Sequence, residues 1–386
     1  MPIGSIMRKV HLFFSRRLLP LLLAALLTAG CMPASFAEEV LSVTFEALED
    51  PEFGAVSLGC SIAEFLNAGF DVGDSCNVEL SNGFRLEDIP VYNGYYTLTG
   101  EPLICLYPGY DYPAFTYSGT GNLWTSSGAQ AGDTVTVILR ESGKYADVQN
   151  ALSVVCSNDR NDFASDIVFS NFRELSGGKL RTGMFFRGAS PIDDRNQRAA
   201  CTDELIRNNG IRFILNLADT KEKAASYPGF SGSRFEELFS GGKVACLGLS
   251  AAYRNPDYAQ KLAEGFRIMM RQDQPVYIHC TEGKDRTGFV CILLEALAGA
   301  DYEELLRDYM ITYENYYGIN ETATPEKYAA MVRIRFRDML DWLAGVPDGS
   351  DLSDRTFEKE AADYLVRAGM TETEIKALTC FICDEK

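Results

Sequence analysis

The sequence predicts an α/β domain with a mainly parallel central sheet flanked by helices, preceded by a small all-β domain that is a sandwich or a barrel. Two changes of pattern along the 386 residues support this division. Residues 38–158 hold short β-rich segments separated by turn formers, whereas from residue 159 onward β-rich segments alternate with helical ones. We therefore predict a signal peptide at 1–30, a β-rich accessory domain at 38–158, and an α/β domain at 159–386 that ends in a helical tail.

The β-rich segments of the first domain are short and end at turns. The clearest predicted strands are residues 94–98, 103–106 and 133–139. Asn-Gly, Pro-Gly and Ser-Gly pairs stand between them. Short strands at this spacing are typical of small sandwiches and barrels.

In the second domain, the period of the apolar residues separates strands from helices. The predicted strands are 212–217 and 276–279, and the predicted helices are 257–271, 287–298 and 302–316. Two more helices are predicted after Val346. Gly369 is the expected C-cap between them, and Thr371 and Glu374 form the capping box that opens the last one.

Residues 279–288 carry the most informative motif, with the sequence HCTEGKDRTG. A predicted buried strand precedes it and a predicted helix follows, so the motif joins a strand to a helix N-terminus. Free backbone N–H groups and the helix dipole favour an anion there. The same field should lower the pKa of Cys280 below the ~8.5 of a free thiol and give a thiolate nucleophile at neutral pH.

This motif resembles the signature loop HCxxGxxRTG of the protein tyrosine phosphatase superfamily. With Lys284 and Asp285 it is similar to the loop HCxxGKDRTG of a bacterial subgroup, some of whose members are dual-specific for phosphotyrosine and phosphoinositides. Residues 171–175 and 179–190 resemble the opening of that family's catalytic domain, and 211–220 resembles its next core strand. The resemblance covers roughly 165–345 and implies a cysteine-phosphatase fold.

The chemistry expected of the loop follows from its residues. The Cys280 thiolate attacks phosphorus, and Arg286 makes bidentate contacts to two phosphate oxygens. The Thr287 hydroxyl donates to the sulfur when the intermediate is hydrolysed. The substrate-binding residues are expected to be Thr281, Glu282, Gly283 and Lys284, whose backbone N–H groups help to form the phosphate cradle. The resemblance further implies a substrate contact for the Lys284 side chain.

The general acid is less well defined by the sequence. The chain lacks the tryptophan-proline-aspartate segment that carries this acid in the larger eukaryotic members of the superfamily. The resemblance implies Asp285 for this role, and the alternative is a structural carboxylate that holds the loop. Asp257 and Asp219 are two further candidates.

The charge of the chain limits the partners it can bind. The formal net charge is −18, and removal of residues 1–30, with four cations and no acid, leaves −22. Such an acidic chain is a poor candidate for nucleic acid or for anionic membrane surfaces. The phosphate site must therefore be electropositive only locally. Arg181, Arg187 and Arg254 are possible helpers, although solvated surface arginines are the favoured interpretation.

The two histidines exclude several site types. His11 lies in the predicted signal peptide, so His279 is the only imidazole of the mature chain, and a multi-histidine metal site is excluded. His279 and Cys280 are adjacent at a strand end, where successive side chains point to opposite faces. This argues against a cysteine-protease dyad, and His279 is expected to organise the loop by hydrogen bonds. We predict no metal and no cofactor.

The N-terminus predicts export. Four cations precede an apolar run, residues 18–27, that is too short to span a bilayer. Residues 28–31 resemble a lipobox in which Cys31 is lipidated, and the alternative is cleavage after Ala37. Either route predicts an extracytoplasmic protein, membrane-anchored through Cys31 or secreted. One or two disulfides are expected among Cys60, Cys76, Cys105 and Cys156.

We thus expect an extracytoplasmic cysteine-dependent phosphatase that acts through a cysteinyl-phosphate intermediate. Its expected substrate is a phosphorylated protein or, with dual specificity, a phosphoinositide or inositol phosphate. Two alternatives stay open: a pseudophosphatase that binds phosphate without turnover, and a rhodanese-like sulfurtransferase.

Overall fold

The computed structural model describes residues 40–51, 54–108 and 110–384. From Val40 onward the chain forms one compact unit. The predicted signal peptide and Cys31 lie outside the described residues, and the predicted boundary at 158/159 stays a prediction. None of the described helices is both long and apolar enough to cross a membrane.

The described residues form twelve strands and fourteen α-helices. The strands are β1 Ser42–Glu49, β2 Val56–Leu58, β3 Ser75–Leu80, β4 Arg85–Tyr92, β5 Pro102–Cys105, β6 Ala114–Tyr117, β7 Thr134–Glu141, β8 Arg173–Glu174, β9 Phe185–Gly188, β10 Phe213–Asn216, β11 Val244–Cys246 and β12 Val276–His279. The helices are α1 Ile62–Asn67, α2 Leu123–Ser127, α3 Ala146–Leu152, α4 Asp166–Phe169, α5 Ala199–Asn208, α6 Lys221–Ala225, α7 Arg234–Ser240, α8 Pro256–Met269, α9 Asp285–Leu297, α10 Tyr302–Tyr317, α11 Pro325–Met331, α12 Asp338–Ala344, α13 Glu358–Arg367 and α14 Glu372–Ile382. A π-helical turn, Val332–Arg337, joins α11 to α12.

The first seven strands close into a barrel in the order β1-β2-β6-β5-β4-β3-β7. Apolar side chains fill its interior, where Phe65 of α1 stacks on Phe70 with ring centroids 4.7 Å apart. The predicted strand at 94–98 is wrong, because this segment is a loop between β4 and β5. These two strands pair in parallel, and a parallel pair needs a crossover connection rather than a tight hairpin.

The second sheet has five strands in the order β11-β10-β12-β9-β8. The pairings β10/β11, β10/β12 and β12/β9 are parallel, and β8/β9 is antiparallel. Apolar cores cover both faces, one of them formed largely by α8, α9 and α13 and the other by α5 and α7. The prediction of a mixed α/β fold preceded by a small β barrel is confirmed. β12 lies in the middle of the sheet, so the residue that follows His279 stands at the carboxyl end of a central strand.

The C-terminal helices pack on the same core. Both helices predicted after Val346 are present as α13 and α14, and the capping box of Thr371 and Glu374 is confirmed. Gly369 lies between them with φ +88°, a left-handed backbone conformation that favours glycine. Arg267 Nε of α8 lies 2.7 Å from Glu374 Oε1, which ties the last helix to the sheet-covering layer.

The barrel contacts the α/β part through its loop between β4 and β5. Tyr96 of this loop packs against the apolar core around α9. The backbone N–H and the hydroxyl of Thr99 donate to the Asp338 carboxylate of α12 at 3.2 and 2.7 Å. The barrel therefore packs directly beside the helices that cover the sheet.

Candidate active site

Residues 280–286 connect β12 to α9 and begin with Cys280, the predicted nucleophile; we call this segment the nucleophile loop. Cys280 follows the central strand directly and is only 3% exposed. α9 begins at Asp285, so its free N–H groups lie at the end of the loop, as the motif predicts. The segment that follows β9 also contacts the loop, because the backbone N–H of Ser190 donates to the Thr281 carbonyl at 3.0 Å.

Two glycines are required by close packing around this loop. Gly283 has φ +67°, and a Cβ at this position would lie 2.2 Å from the carbonyl oxygen of Gly188. At Gly288, a Cβ would lie 2.8 Å from Cε2 of Tyr309. A side chain at Gly283 therefore meets both an unfavourable backbone conformation and the neighbouring strand.

Arg286 is held by neutral groups. Its Nη1 donates to the Leu249 carbonyl at 3.0 Å and its Nη2 donates to the Thr281 hydroxyl at 3.2 Å. Within the described part of the chain it forms no ion pair with a carboxylate. Its positive charge is therefore oriented but not neutralised, which leaves the guanidinium available for an anion.

Lys284 is partly engaged by its neighbours. Its Nζ lies 3.2 Å from Glu282 Oε2 and 4.0 Å from Asp285 Oδ2. It also donates to the Tyr317 hydroxyl at 3.2 Å. Burial lowers the pKa of Lys284, but the negative charges of Asp285 and Glu282 outweigh burial and raise it well above its usual range. Lys284 is therefore charged at neutral pH.

The Thr287 hydroxyl is fully buried and has no hydrogen-bond partner among the described residues. The predicted donation from this hydroxyl to the Cys280 sulfur is therefore not formed here and stays a prediction. A buried hydroxyl without a partner is energetically costly. The Thr287 hydroxyl is therefore available to donate a hydrogen bond to the sulfur.

The three candidate acids lie in different environments. The Asp285 side chain is 57% exposed on the first residue of α9, and its Oδ2 lies 4.0 Å from Lys284 Nζ. Asp257 is 68% exposed and pairs with Lys261 at 2.8 Å within α8. Asp219 is buried, and both Asn216 Nδ2 and the Tyr227 hydroxyl donate to its carboxylate at 3.1 Å. The Asp219 carboxylate thus stabilises the turn after β10. Of the three candidate acids, only Asp285 belongs to the nucleophile loop.

His279 supports the loop from inside the sheet. Its Nδ1 lies 2.9 Å from the Cys280 carbonyl oxygen, and since a carbonyl only accepts, Nδ1 carries the proton. The ring packs against Tyr277 and Phe235 with centroids 5.7 and 6.1 Å away. Burial lowers the pKa of His279 to about 4, so the ring is neutral at physiological pH. It contacts the loop backbone, as predicted for an organising residue.

A buried ionic scaffold contacts the Gly283 carbonyl of the loop, and the sequence does not predict most of it. The Gly283 carbonyl accepts from Arg187 Nη2 at 2.8 Å and from Asn171 Nδ2 at 3.3 Å. The Asp308 carboxylate of α10 accepts from Arg187 Nη1, and from Arg173 Nε at 2.7 Å. The interpretation of Arg187 as a solvated arginine is wrong, because it is 1% exposed.

The sequence contains a signal for only some of the residues of this scaffold. Asn171, Arg173 and Arg187 belong to the segments that resemble the family opening, but nothing in the sequence connects them to Asp308. α10 also holds the loop through Tyr316, whose hydroxyl donates to the Glu282 carbonyl at 2.7 Å.

The other two candidate helper arginines lie elsewhere. Arg181 donates to the carbonyls of Cys383 and Cys380 at 2.7 and 3.1 Å. Arg254 pairs with Asp338 at 2.7 Å and has a side chain only 16% exposed, so it is not a solvated arginine either. Arg181 therefore contacts the end of α14 and Arg254 contacts α12, and neither forms a hydrogen bond or ion pair with the nucleophile loop among the described residues.

All ten cysteines among the described residues are free thiols. The expected disulfides among Cys60, Cys76, Cys105 and Cys156 are therefore not formed. Burial raises the pKa of Cys76 and of Cys105 to about 12 each, so both act as apolar side chains of the barrel. In the described ranges, no group of three or more His, Cys, Asp or Glu side chains is placed to hold a metal ion.

Comparisons with known proteins agree with this geometry. A protein of Cupriavidus necator that carries the provisional name of tyrosine-protein phosphatase is 26% identical over 205 residues, which are 46% of this chain and 73% of the relative. A tyrosine-protein phosphatase of Nostoc commune is 48% identical over 46 residues, which are 12% of this chain and 16% of the relative.

A solved structure of an uncharacterized conserved protein from Thermotoga maritima is also similar in part. It is 20% identical with a TM-score of 0.22, and the match covers 25% of this chain and 35% of that chain. The family model of the tyrosine phosphatase family matches residues 168–380. That match spans more than half of the chain and includes the nucleophile loop, so the chain belongs to the tyrosine phosphatase family and is a phosphatase.

Proposed function

We propose that this phosphatase is extracytoplasmic and hydrolyses phosphotyrosine in proteins through a cysteinyl-phosphate intermediate. The observation that carries the proposal is that Arg286 is hydrogen-bonded by neutral groups and keeps its positive charge unpaired among the described residues. Its guanidinium is oriented by the Leu249 carbonyl and the Thr281 hydroxyl, without a carboxylate partner in the described residues, at the end of the loop that begins with Cys280. An oriented, unneutralised guanidinium in the same loop as a cysteine thiol suits the binding of a phosphate monoester. We further propose that the five-stranded sheet is the central sheet of the cysteine-phosphatase fold.

In the first step of the proposed reaction, the Cys280 thiolate attacks phosphorus in line. A sulfur–phosphorus bond forms while the bond from phosphorus to the tyrosine oxygen breaks. The leaving oxygen takes a proton from Asp285, and Arg286 together with the loop N–H groups stabilises the charge on the equatorial oxygens.

In the second step, water attacks the phosphorus of the intermediate and the sulfur–phosphorus bond breaks. Inorganic phosphate leaves, and the water proton returns to Asp285. The Thr287 hydroxyl, which has no other partner among the described residues, donates to the sulfur as it regains negative charge.

The role of Asp285 gives a specific prediction. In Asp285→Asn the protonation of the leaving group is lost, so hydrolysis of alkyl phosphates and unsubstituted phenyl phosphate should slow by about 10²-fold or more. Activated aryl phosphates, whose leaving groups need no proton, should slow by less than about tenfold. Steady-state kinetics on this series measures both, with Asp257→Asn as the control acid. Equal losses across the series would exclude Asp285 as the acid.

The substrate is tested with phosphopeptides that differ only in the phosphorylated residue. Under reducing conditions we expect phosphotyrosine peptides to be hydrolysed at least tenfold faster than phosphoserine peptides. Dual specificity would require Lys284 to exchange its contacts with Glu282 and Tyr317 for a second phosphate. Faster hydrolysis of a bisphosphorylated inositol headgroup than of any phosphopeptide would overturn the protein-substrate proposal.

The location rests on the sequence of residues 1–31, which lie outside the described residues. We propose export and lipidation at Cys31, with secretion after cleavage at Ala37 as the alternative. Metabolic labelling with a radioactive fatty acid, compared between the wild type and Cys31→Ala, distinguishes the two. Full-length protein that stays in the cytoplasm with an intact N-terminus would overturn both.

A further inference from the structure

The π-helical turn Val332–Arg337 is an unusual element near the nucleophile loop. π-helical turns are rare in proteins and are found frequently at functional sites. Phe336 of the turn packs against Tyr309 of α10, with ring centroids 5.6 Å apart. Tyr309 in turn lies on the first turn of α9, where Gly288 leaves room for its ring. The π-helical turn is therefore fixed beside the helix that begins at Asp285.

A ladder of three tyrosines on α10, Tyr309, Tyr313 and Tyr317, leads from this turn to the loop. Successive ring centroids are 5.8 and 5.9 Å apart. At the far end, the Tyr317 hydroxyl accepts from Lys284 Nζ. Arg335 and Lys284 both lie close enough to Tyr313 and to Asp285 for their charges to interact.

Arg335 differs from the other arginines of its turn. Arg333 pairs with Asp348 at 3.1 Å and Arg337 pairs with Asp341 at 2.8 Å. Arg335 is half-buried, yet in the described part of the chain it has neither a hydrogen bond nor an ion pair. Burial lowers its pKa, but interaction with Tyr313 and Asp285 outweighs burial and keeps the pKa above its usual range. A partly desolvated, charged guanidinium without an anion is costly, so an anionic ligand would be favoured there.

The Tyr313 hydroxyl is a second unsatisfied group in the same place. Tyr313 is 2% exposed, and its hydroxyl has no hydrogen-bond partner among the described residues; Tyr309 comes near it without meeting hydrogen-bond geometry. Burial and the charge of Asp285 raise the pKa of Tyr313, and the charges of Arg335 and Lys284 lower it in part. This hydroxyl thus stands among the charged groups beside the loop as an unused donor.

We propose that Arg335 and the Tyr313 hydroxyl form a subsite for the carboxylate of an acidic residue next to the phosphotyrosine of a peptide substrate. The inference rests on the proposed function and adds a sequence preference to it. A planar guanidinium and one hydroxyl match the two oxygens of a carboxylate.

The charge of the protein favours a carboxylate over a second phosphate. The chain as a whole carries a net charge of −18, which disfavours multiply phosphorylated ligands.

Tyr96 of the barrel loop is close enough to interact with Arg335, so the subsite lies where the barrel meets the α/β part.

The test compares kcat/KM for phosphotyrosine peptides that carry one glutamate, or its isostere glutamine, at each of the four positions next to the phosphotyrosine. We expect wild-type enzyme to prefer glutamate about tenfold at one position. In Arg335→Gln that ratio should fall to about one, and in Tyr313→Phe, which removes only the hydroxyl, it should fall severalfold. Arg333→Gln is the matched control, because this side chain is 65% exposed on the same turn and should keep the ratio.

Thermal melts of each variant establish that it is folded. A ratio that stays at the wild-type value in folded Arg335→Gln overturns the subsite while leaving phosphotyrosine hydrolysis intact. A variant that loses activity on a bisphosphorylated inositol headgroup but keeps its peptide ratio overturns the carboxylate assignment. Failure of the wild type to hydrolyse any phosphopeptide would instead overturn the proposed function and the subsite together.

Discussion

Replacement of Cys280 by serine is expected to abolish phosphatase turnover, with kcat on para-nitrophenyl phosphate lower by roughly 10⁴-fold or more. A serine hydroxyl is a much weaker nucleophile than a cysteine sulfur, so the nucleophile is lost while the loop keeps its shape. The measurement is steady-state hydrolysis by residues 38–386 under reducing conditions, repeated with a metal chelator present. Unchanged turnover in the chelator is expected, because no described residue enters the proposed reaction as a metal ligand.

Cys380→Ser is the matched control, because Cys380 is exposed on α14 and lies outside the nucleophile loop. It should keep wild-type turnover. Substantial turnover in Cys280→Ser would exclude a reaction through this thiol. A wild-type protein that binds phosphate and has a reactive Cys280, but shows no turnover, would favour a binding module instead.

The second large effect is expected for Asp308→Ala, which should lower the free energy of unfolding by about 3–5 kcal/mol. The Asp308 carboxylate accepts from Arg173 and from Arg187, and its removal leaves two buried guanidinium groups without a counter-charge. Because Arg187 also holds the Gly283 carbonyl, turnover should fall as well. Denaturant unfolding of wild type and variant measures the change.

The same network predicts a pH dependence. Burial raises the pKa of Asp308, but Arg173 and Arg187 outweigh burial and hold it below its usual range. The stability that depends on this depressed pKa is therefore complete above the usual carboxyl pKa of about 4 and is lost as the pH falls below it. The difference between wild type and Asp308→Ala should shrink in that acidic window.

Arg207→Ala provides the control for an exposed ion pair. Arg207 and Glu237 are 49% and 48% exposed and lie 2.9 Å apart, so this substitution should cost less than about 1 kcal/mol. Equal losses in Asp308→Ala and Arg207→Ala would show that the buried scaffold does not stabilise the fold.

Much of the local structure could be predicted because it depends on short stretches of sequence. β12 was predicted with its observed bounds, and α10 to within one residue, because a run of apolar residues and a helical period define them. The capping box at Thr371 was equally readable, since its two partners are three residues apart. The nucleophile loop lies within ten residues, and its spacing alone indicated a phosphate site.

Other features were missed or wrongly predicted because they depend on residues far apart in the chain. Residues 94–98 have strand-forming side chains, but the parallel pairing of β4 and β5 makes them a crossover loop. The four N-terminal cysteines are separate free thiols. Cys76 is buried in the barrel interior, whereas Cys105 is buried in a second apolar cluster with Tyr92 and Leu103. The free guanidinium of Arg335 becomes informative only when the partners of its neighbours Arg333 and Arg337 are known.

The sequence by itself determined the α/β class, the family and the position of the motif around Cys280 between a strand and a helix, and it predicts the residues of the phosphate cradle. Only the tertiary structure decided how that cradle is held. Arg187 and Asp308 are 121 positions apart, and Asn171 is 112 positions from the carbonyl it holds at Gly283. No local pattern encodes such pairs, because burial selects these partners only when the sheet and α10 have come together.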